Sequence, residues 1–188
     1  MLDHQGILEA LHALDEELGS RGVRANVFVV GGAAMAIAYD ARRSTADVDA
    51  VFAPADEVRR AATVVADRLG IPDDWLNDGA KGFMPGDDPG RVTVFEGSHL
   101  QVAAASPRYL LAMKLLAARA ERDRDDIRVL YGLCGFTTAG EGLAVVEAAY
   151  PQHVIPPRTR FMLEEMFPTP EHQREAQKER DTGFDIGL

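Results

Sequence analysis

Residues 27–52 read VFVVGGAAMAIAYDARRSTADVDAVF: an apolar run, Gly31-Gly32, a short apolar stretch, and a second run opened by Asp47 and Asp49. Four consecutive apolar residues suit a strand covered on both faces, so NVFVVGG (26–32) is expected at the centre of a sheet. The two glycines let a short helix, AAMAIAYD, start close against that strand. ADVDAVFA (46–53) alternates acid and apolar before Pro54 and predicts a strand with one chemically distinct face. Carboxylates two positions apart on a strand point to the same side, where their charges repel. Something must offset that repulsion at the edge of an otherwise apolar core.

The flanks extend this unit in both directions. Ile7, Leu8, Leu11, Leu14 and Leu18 recur at helical spacing and predict a helix over residues 6–19. ADEVRRAATVVADRLG (55–70) is a second amphipathic helix, begun near Pro54 and ended by Gly70. Residues 71–90 are rich in Gly, Pro and Asp and read as a loop, long enough to be functional or to hold a short element. RVTVFEG and LQVAAAS predict a hairpin across Gly97-Ser98. Ser106 and Pro107 then suit the N-cap and first turn of a helix. From there the chain is helical, through ERDRDDIRVLYGLCG and TTAGEGLAVVEAAYP to PRTRFMLEEMF, before a polar end. The expected class is α/β (α+β), a small mixed β-sheet flanked by helices with a C-terminal helical part. Residues 1–105 form the core, 106–168 the C-terminal helices packed on it, and 169–188 a loosely held tail.

Composition excludes several classes. The 188 residues are 46% hydrophobic and 27% charged, as in ordinary globular proteins. Apolar runs such as VFVV and YLLAMKLLAA are too short or too interrupted to span a bilayer. The N-terminus is acidic and amphipathic rather than basic and then apolar, unlike a signal peptide. One cysteine, Cys134, fits a reducing cytoplasm and, in the mostly apolar VLYGLCGF, reads as a buried small hydrophobe rather than a nucleophile. Five histidines lie scattered without zinc-ligand spacing. A formal charge of −10 argues against non-specific nucleic-acid binding, which rests on Lys and Arg neutralising phosphates. The expectation is a cytoplasmic protein with no membrane contact.

Asp47 and Asp49 can be read as oxygen ligands for Mg²⁺, which keeps waters and takes phosphate oxygens as further ligands. They can equally be an exposed strand face. The glycine turn upstream opens a helix N-terminus, where backbone N–H groups favour an anion. It is no dinucleotide fingerprint, lacking a third glycine at the required spacing, and no Walker motif, lacking Lys-Ser/Thr. The loop DDWLNDGAKGF offers Asn77, Asp78 and Lys81 between Trp75 and Phe83. It is either a substrate flap, with Lys81 on a phosphate and an aromatic for stacking, or a loop pinned by Trp75 and Phe83; the pinned loop is preferred.

The strand, Gly-Gly, short helix and RSTADVDAVF together resemble the signature of the nucleotidyltransferase fold, the superfamily of DNA polymerase beta. Arg43-x-Thr45-x-Asp47-x-Asp49 is similar to AbiEii-like and related uncharacterised bacterial nucleotidyltransferases, several of which act as toxins in toxin-antitoxin pairs. SPRYLLAMKLLAARAERDRDDI resembles the downstream block of those families, a lysine-bearing helix followed by Arg-Asp-x-x-Asp, here Lys114, Arg122, Asp123 and Asp126. The resemblance implies that Gly31 and Gly32 hold a nucleoside triphosphate, with Arg43 and Thr45 near its phosphates. It implies that Asp47 and Asp49 bind Mg²⁺, as one ion or two, and that Lys114 neutralises the triphosphate. Lys114 can also be a lysine whose stem lies on an apolar helix. Asp123 and Asp126 join the nucleotide set, or else form an ion-paired solvent face.

Active members of that fold present a third carboxylate from a later strand, able to act as general base. LQVAAAS has none: Gln101 is no base, and Glu96, at the end of the preceding strand, is the one nearby candidate, though a turn role suits it better. The implied function is Mg²⁺-dependent transfer of NMP from an NTP to an acceptor hydroxyl. The acceptor would be a small molecule, a protein side chain or an RNA 3′ end, in a toxin held by an antitoxin protein. The alternative is a catalytically weak or inactive relative that binds a nucleotide or a protein partner.

Overall fold

The computed structural model describes residues 1–39, 44–117 and 119–168, and the chain divides into two compact units, Met1–Ser106 and Pro107–Leu188. In the first unit, helix α1 (His4–Ser20) follows a two-residue strand β1 (Leu2–Asp3). The Asp3 carboxylate caps it by accepting from the Gly6 N–H at 2.8 Å. The helix buries Ile7, Leu11, Leu14 and Leu18 as the spacing requires, while Leu8 lies at the margin, half-buried. Helix α3 (Ala55–Leu69) buries Val58, Ala61, Ala62, Val65 and Ala66 and stops at Gly70, whose φ of 65° is left-handed. The two helices pack together, α1 against β7 and α3 against β4.

They cover one face of a mixed five-stranded sheet in the order β5-β4-β2-β7-β6. Strand β2 (Ala25–Val29) is central, antiparallel to β4 (Val48–Ala53) and parallel to β7 (Leu100–Ala104). The predicted hairpin is β6 (Val92–Glu96) with β7. Strand β5 (Leu76–Asn77) is parallel to β4 at the opposite edge. Val27, Val29, Ala50, Phe52, Val102 and Ala104 share the buried face. On the other face Asn26 is exposed and Phe28 and Val51 are half-buried. The central position of β2 is therefore as expected, but its burial is one-sided rather than two-sided.

Two local expectations need correcting. The strand predicted over 46–53 begins only at Val48, and Ala46-Asp47 form a bend. The β2 ladder stops at Val29 opposite Ala50 because the chain turns into a helix at Gly31, so Asp47 has no strand opposite it. Ser44-Thr45 instead form β3, paired with β1 in a separate two-stranded sheet. The short helix is likewise composite. Its first turn is α-helical, α2 (Gly31–Ala34), and Met35–Tyr39 follow as a π-helix, a form that often marks functional regions. The Tyr39 hydroxyl donates to the Ala105 carbonyl at 2.7 Å, tying this segment to the end of β7.

The 71–90 loop contains β5 and a 3₁₀ turn, Lys81–Phe83. Trp75 pins it: the ring is fully buried and Nε1 donates to the Ala62 carbonyl of α3 at 3.0 Å. Phe83 does not share that role, being 72% exposed. At the hairpin turn, Asp15 of α1 accepts from the backbone N–H groups of His99 (2.8 Å), Leu100 (2.7 Å) and Ser98 (3.3 Å). Further along, buried Asp88 accepts from the Ser106 N–H at 2.7 Å and from its hydroxyl at 2.8 Å.

The second unit consists of α4 (Pro107–Ala117), α5 (Ala120–Cys134), α6 (Ala139–Ala149) and α7 (Pro157–Met166). Helix α6 opens with a capping box between Thr138 and Glu141. Tyr131 is buried, stacked on Phe167 at 3.7 Å between ring centres. Its hydroxyl occupies the space that a Cβ on Gly142 would need. Burial pushes the Cys134 thiol above its ordinary pKa, in keeping with an unreactive thiol. Arg43 and residues 169–188 lie outside the described residues. Among the described residues no single helix is long and apolar enough to cross a membrane.

Candidate functional site

The first unit gathers five of the sequence-predicted residues at the C-terminal end of β2. The Val30 N–H donates to the Asp49 carbonyl at 2.9 Å, which sets the Gly31-Gly32 turn beside the start of β4. Gly31 has φ +64°, and a Cβ there would lie 3.4 Å from Asp49 Oδ2. Only glycine enters that conformation without strain. A Cβ on Gly32 would come within 3.0 Å of Thr45 Oγ1. The Thr45 hydroxyl donates to the Asp47 carbonyl at 3.0 Å and holds the bend that presents Asp47. Thr45, Asp47 and Asp49 are all half-buried.

The other wall comes from the 71–90 loop. Strand pairing sets Asn77 against Asp49, and Asn77 Nδ2 donates to Asp47 Oδ2 at 3.0 Å. Asn77 Oδ1 accepts from the Gly79 N–H at 2.9 Å. A Cβ on Gly79 would sit 3.0 Å from Asn77 Oδ1 and 3.8 Å from Asp49 Oδ1. Asp78 pairs with Arg59 of α3 at 2.7 Å, and Lys81 is exposed four residues beyond Asn77. Asn77 was visible in the sequence only as a loop residue. Asn-x-Gly is a readable turn signal, but its bond to Asp47 spans thirty positions and follows from β4–β5 pairing.

Two carboxylates with glycine-lined space around them fit Mg²⁺, a hard ion that accepts waters and phosphate oxygens as its remaining ligands. They do not form a protein-only cage. Among the described residues no group of three or more His, Cys, Asp or Glu side chains is placed to hold a metal. The strand end also explains where the third acid is missing. Gln101 is level with Asn26 and Ala104 with Val29, so at ~3.3 Å per residue Gln101 lies ~10 Å back along the strands from Val29, where β2 ends. Glu96 pairs with Gln101 at that remote end. Across β2, the positions level with the start of β4 are Ala104 at the end of β7 and Ala105 just beyond it.

Lys114, Asp123 and Asp126 belong to the second unit. Lys114 Nζ is 2.8 Å from Asp123 Oδ1 and 2.5 Å from Asp126 Oδ2. The two aspartates are 7% and 8% exposed. They stand three apart on α5, so both reach the same side. They are ion-paired and face inward rather than to solvent. A solvent-facing pair of that charged stretch is Asp125 with Arg128 at 2.9 Å.

No curated protein matches this chain. Among solved structures it is similar to the crystal structure of an antigenic nucleotidyltransferase-like protein from Paracoccidioides brasiliensis. That likeness has 14% identity, 90% coverage of this chain and 92% of the other, and a TM-score of 0.35, too weak a superposition to carry an argument. A family described as nucleotidyltransferase of unknown function (DUF6036) matches residues 7–133, from α1 into the last turn of α5. With the glycine turn and both strand-end aspartates inside that span, the chain belongs to this nucleotidyltransferase family.

Proposed function

We propose that the protein transfers NMP from an NTP to an acceptor hydroxyl in a Mg²⁺-dependent reaction. The observation that carries this reading is the placement of Asp49 beside the Gly31-Gly32 turn by the β2–β4 pairing, with Asp47 presented next to it by the Thr45 bend. In the proposed complex, the backbone of Gly31 and Gly32 approaches the triphosphate where no side chain intervenes. Thr45 and Arg43 flank the phosphates, and Asp47 and Asp49 hold the ion. A bound divalent ion supplies charge neutralisation on the phosphates and orients the leaving group. Lys81 stands on the adjoining loop as a phosphate contact, with exposed Phe83 next to it as a stacking surface for the base. Lys114, Asp123 and Asp126 form an ion-paired cluster of their own within the second unit.

The net charge of −10 favours a small molecule or a protein as acceptor over an RNA 3′ end. A basic antitoxin would suit the same balance if the protein is the toxin of a pair.

A second reading, nucleotide binding without turnover, draws on alanines at the β7 positions where a third carboxylate would stand. Purified protein incubated with labelled NTPs, Mg²⁺ and cell extract, alongside Asp47→Ala/Asp49→Ala, separates the two. Label transfer lost in the variant supports the enzyme. Binding with no transfer supports the second reading, and absence of any nucleotide binding refutes both.

A further inference from the structure

Asp47 is met by the side-chain amide of Asn77, a neutral group. A lysine or arginine there would offset the carboxylate repulsion but would also compete with a metal ion for the same oxygens. The amide supplies one hydrogen bond to Asp47 Oδ2 and no charge. Its orientation is determined by its surroundings. Oδ1 must face the Gly79 N–H at 2.9 Å, so the NH₂ must face Asp47. The backbone that carries it is equally fixed. The Val48 N–H donates to the Trp75 carbonyl at 2.6 Å, and the Trp75 ring is anchored to α3. Asn77 is thus held from behind by buried Trp75, from the side by β4, and from the front by its own turn.

We infer that Asn77 is a positioning residue for the metal site: it fixes the Asp47 carboxylate through Oδ2 so that the other oxygen is presented beside Asp49 to a divalent cation. This rests on reading Asp47 and Asp49 as the metal-binding pair. Outer partners of metal-ligating carboxylates set the orientation of the ligand, and their loss costs about 10–100-fold in metal affinity.

Mn²⁺ titration of the nucleotide-free protein, followed by electron paramagnetic resonance, provides the test without any turnover. Asn77→Ala removes the bond to Asp47, a longer one to the Asp74 carbonyl and the turn to Gly79. Asn77→Ser keeps a hydroxyl able to close the turn but is too short to reach Asp47. Trp75 is the sole tryptophan, so an unchanged emission maximum certifies that β5 is in place in each variant. Both variants are expected to bind Mn²⁺ about tenfold more weakly with Trp75 emission unchanged. Normal affinity in Asn77→Ser overturns the inference, leaving Asn77 a turn residue only, and so does normal affinity in both. Mn²⁺ binding that survives Asp47→Ala/Asp49→Ala removes the parent reading and this one together. That outcome is distinct from a loss confined to the aspartate variant, which removes this inference alone.

Discussion

The two units treat paired aspartates in opposite ways. In the second, Asp123 and Asp126 are buried and closed over by Lys114, their own cation. In the first, Asp47 and Asp49 are half-buried, Asp47 is given an amide, and glycines let the turns approach Asp49, Thr45 and Asn77 closely. Removing a charge from water costs several kcal/mol unless a partner is built in. A carboxylate pair with a resident lysine is therefore complete as folded. Asp47, half-buried and met by a neutral amide, is suited to an external cation.

The contrast is broken most decisively at the first pair. Asp47→Ala/Asp49→Ala is expected to abolish Mn²⁺ binding and any nucleotide transfer, with folding stability changed by no more than about 1 kcal/mol. Calorimetric titration and chemical denaturation measure the two effects, and a large stability loss would make this pair structural. The converse holds for Lys114→Ala, which leaves two buried carboxylates without their cation. A loss of about 3–5 kcal/mol is expected from urea denaturation. Unchanged stability with weakened nucleotide binding would instead give Lys114 to the triphosphate.

Glycines refine the comparison at smaller cost. Gly31 and Gly70 share a left-handed φ, yet only Gly31 has a carboxylate within reach of a Cβ. Alanine at either position should cost roughly 1–2 kcal/mol, while only Gly31→Ala should weaken nucleotide binding in a fluorescence titration. The smallest effect concerns another internally satisfied carboxylate. The Thr137 N–H, then the N–H and hydroxyl of Thr138, hold the Glu141 carboxyl below its ordinary value of 4.5. Its contribution is present above that value and lost as pH falls through the lowered folded-state pKa. Wild-type melting temperature should therefore fall more steeply than that of Glu141→Gln between about pH 5 and pH 3.

What could be read in advance was what is local. The helix of residues 55–70 is written in its apolar spacing and Gly70. The nearness of the glycine turn to Asp49 follows from a strand, a short helix and a return strand. Long-range contacts were not legible. Asp15 looks like one acid among several on an amphipathic helix, and nothing nearby shows that it receives three N–H groups of the β6–β7 turn. Asn77 carries no mark that it will meet Asp47, because strand pairing makes that choice. The expected two-sided burial of β2 failed for a related reason. Apolar residues such as Phe28 are also tolerated on the half-open face that Asp49 occupies.

The parallel pairing of β2 with β7 has a consequence for how the protein is made. Residues 25–29 leave the ribosome well before residues 100–104, the strand that covers their second edge. Until then the hydrogen-bonding groups along that edge of β2 are open to any other extended chain. Pairings this distant in sequence also form slowly. A nascent chain halted before β7 therefore carries the whole glycine-aspartate motif on an uncapped strand and is an aggregation-prone intermediate.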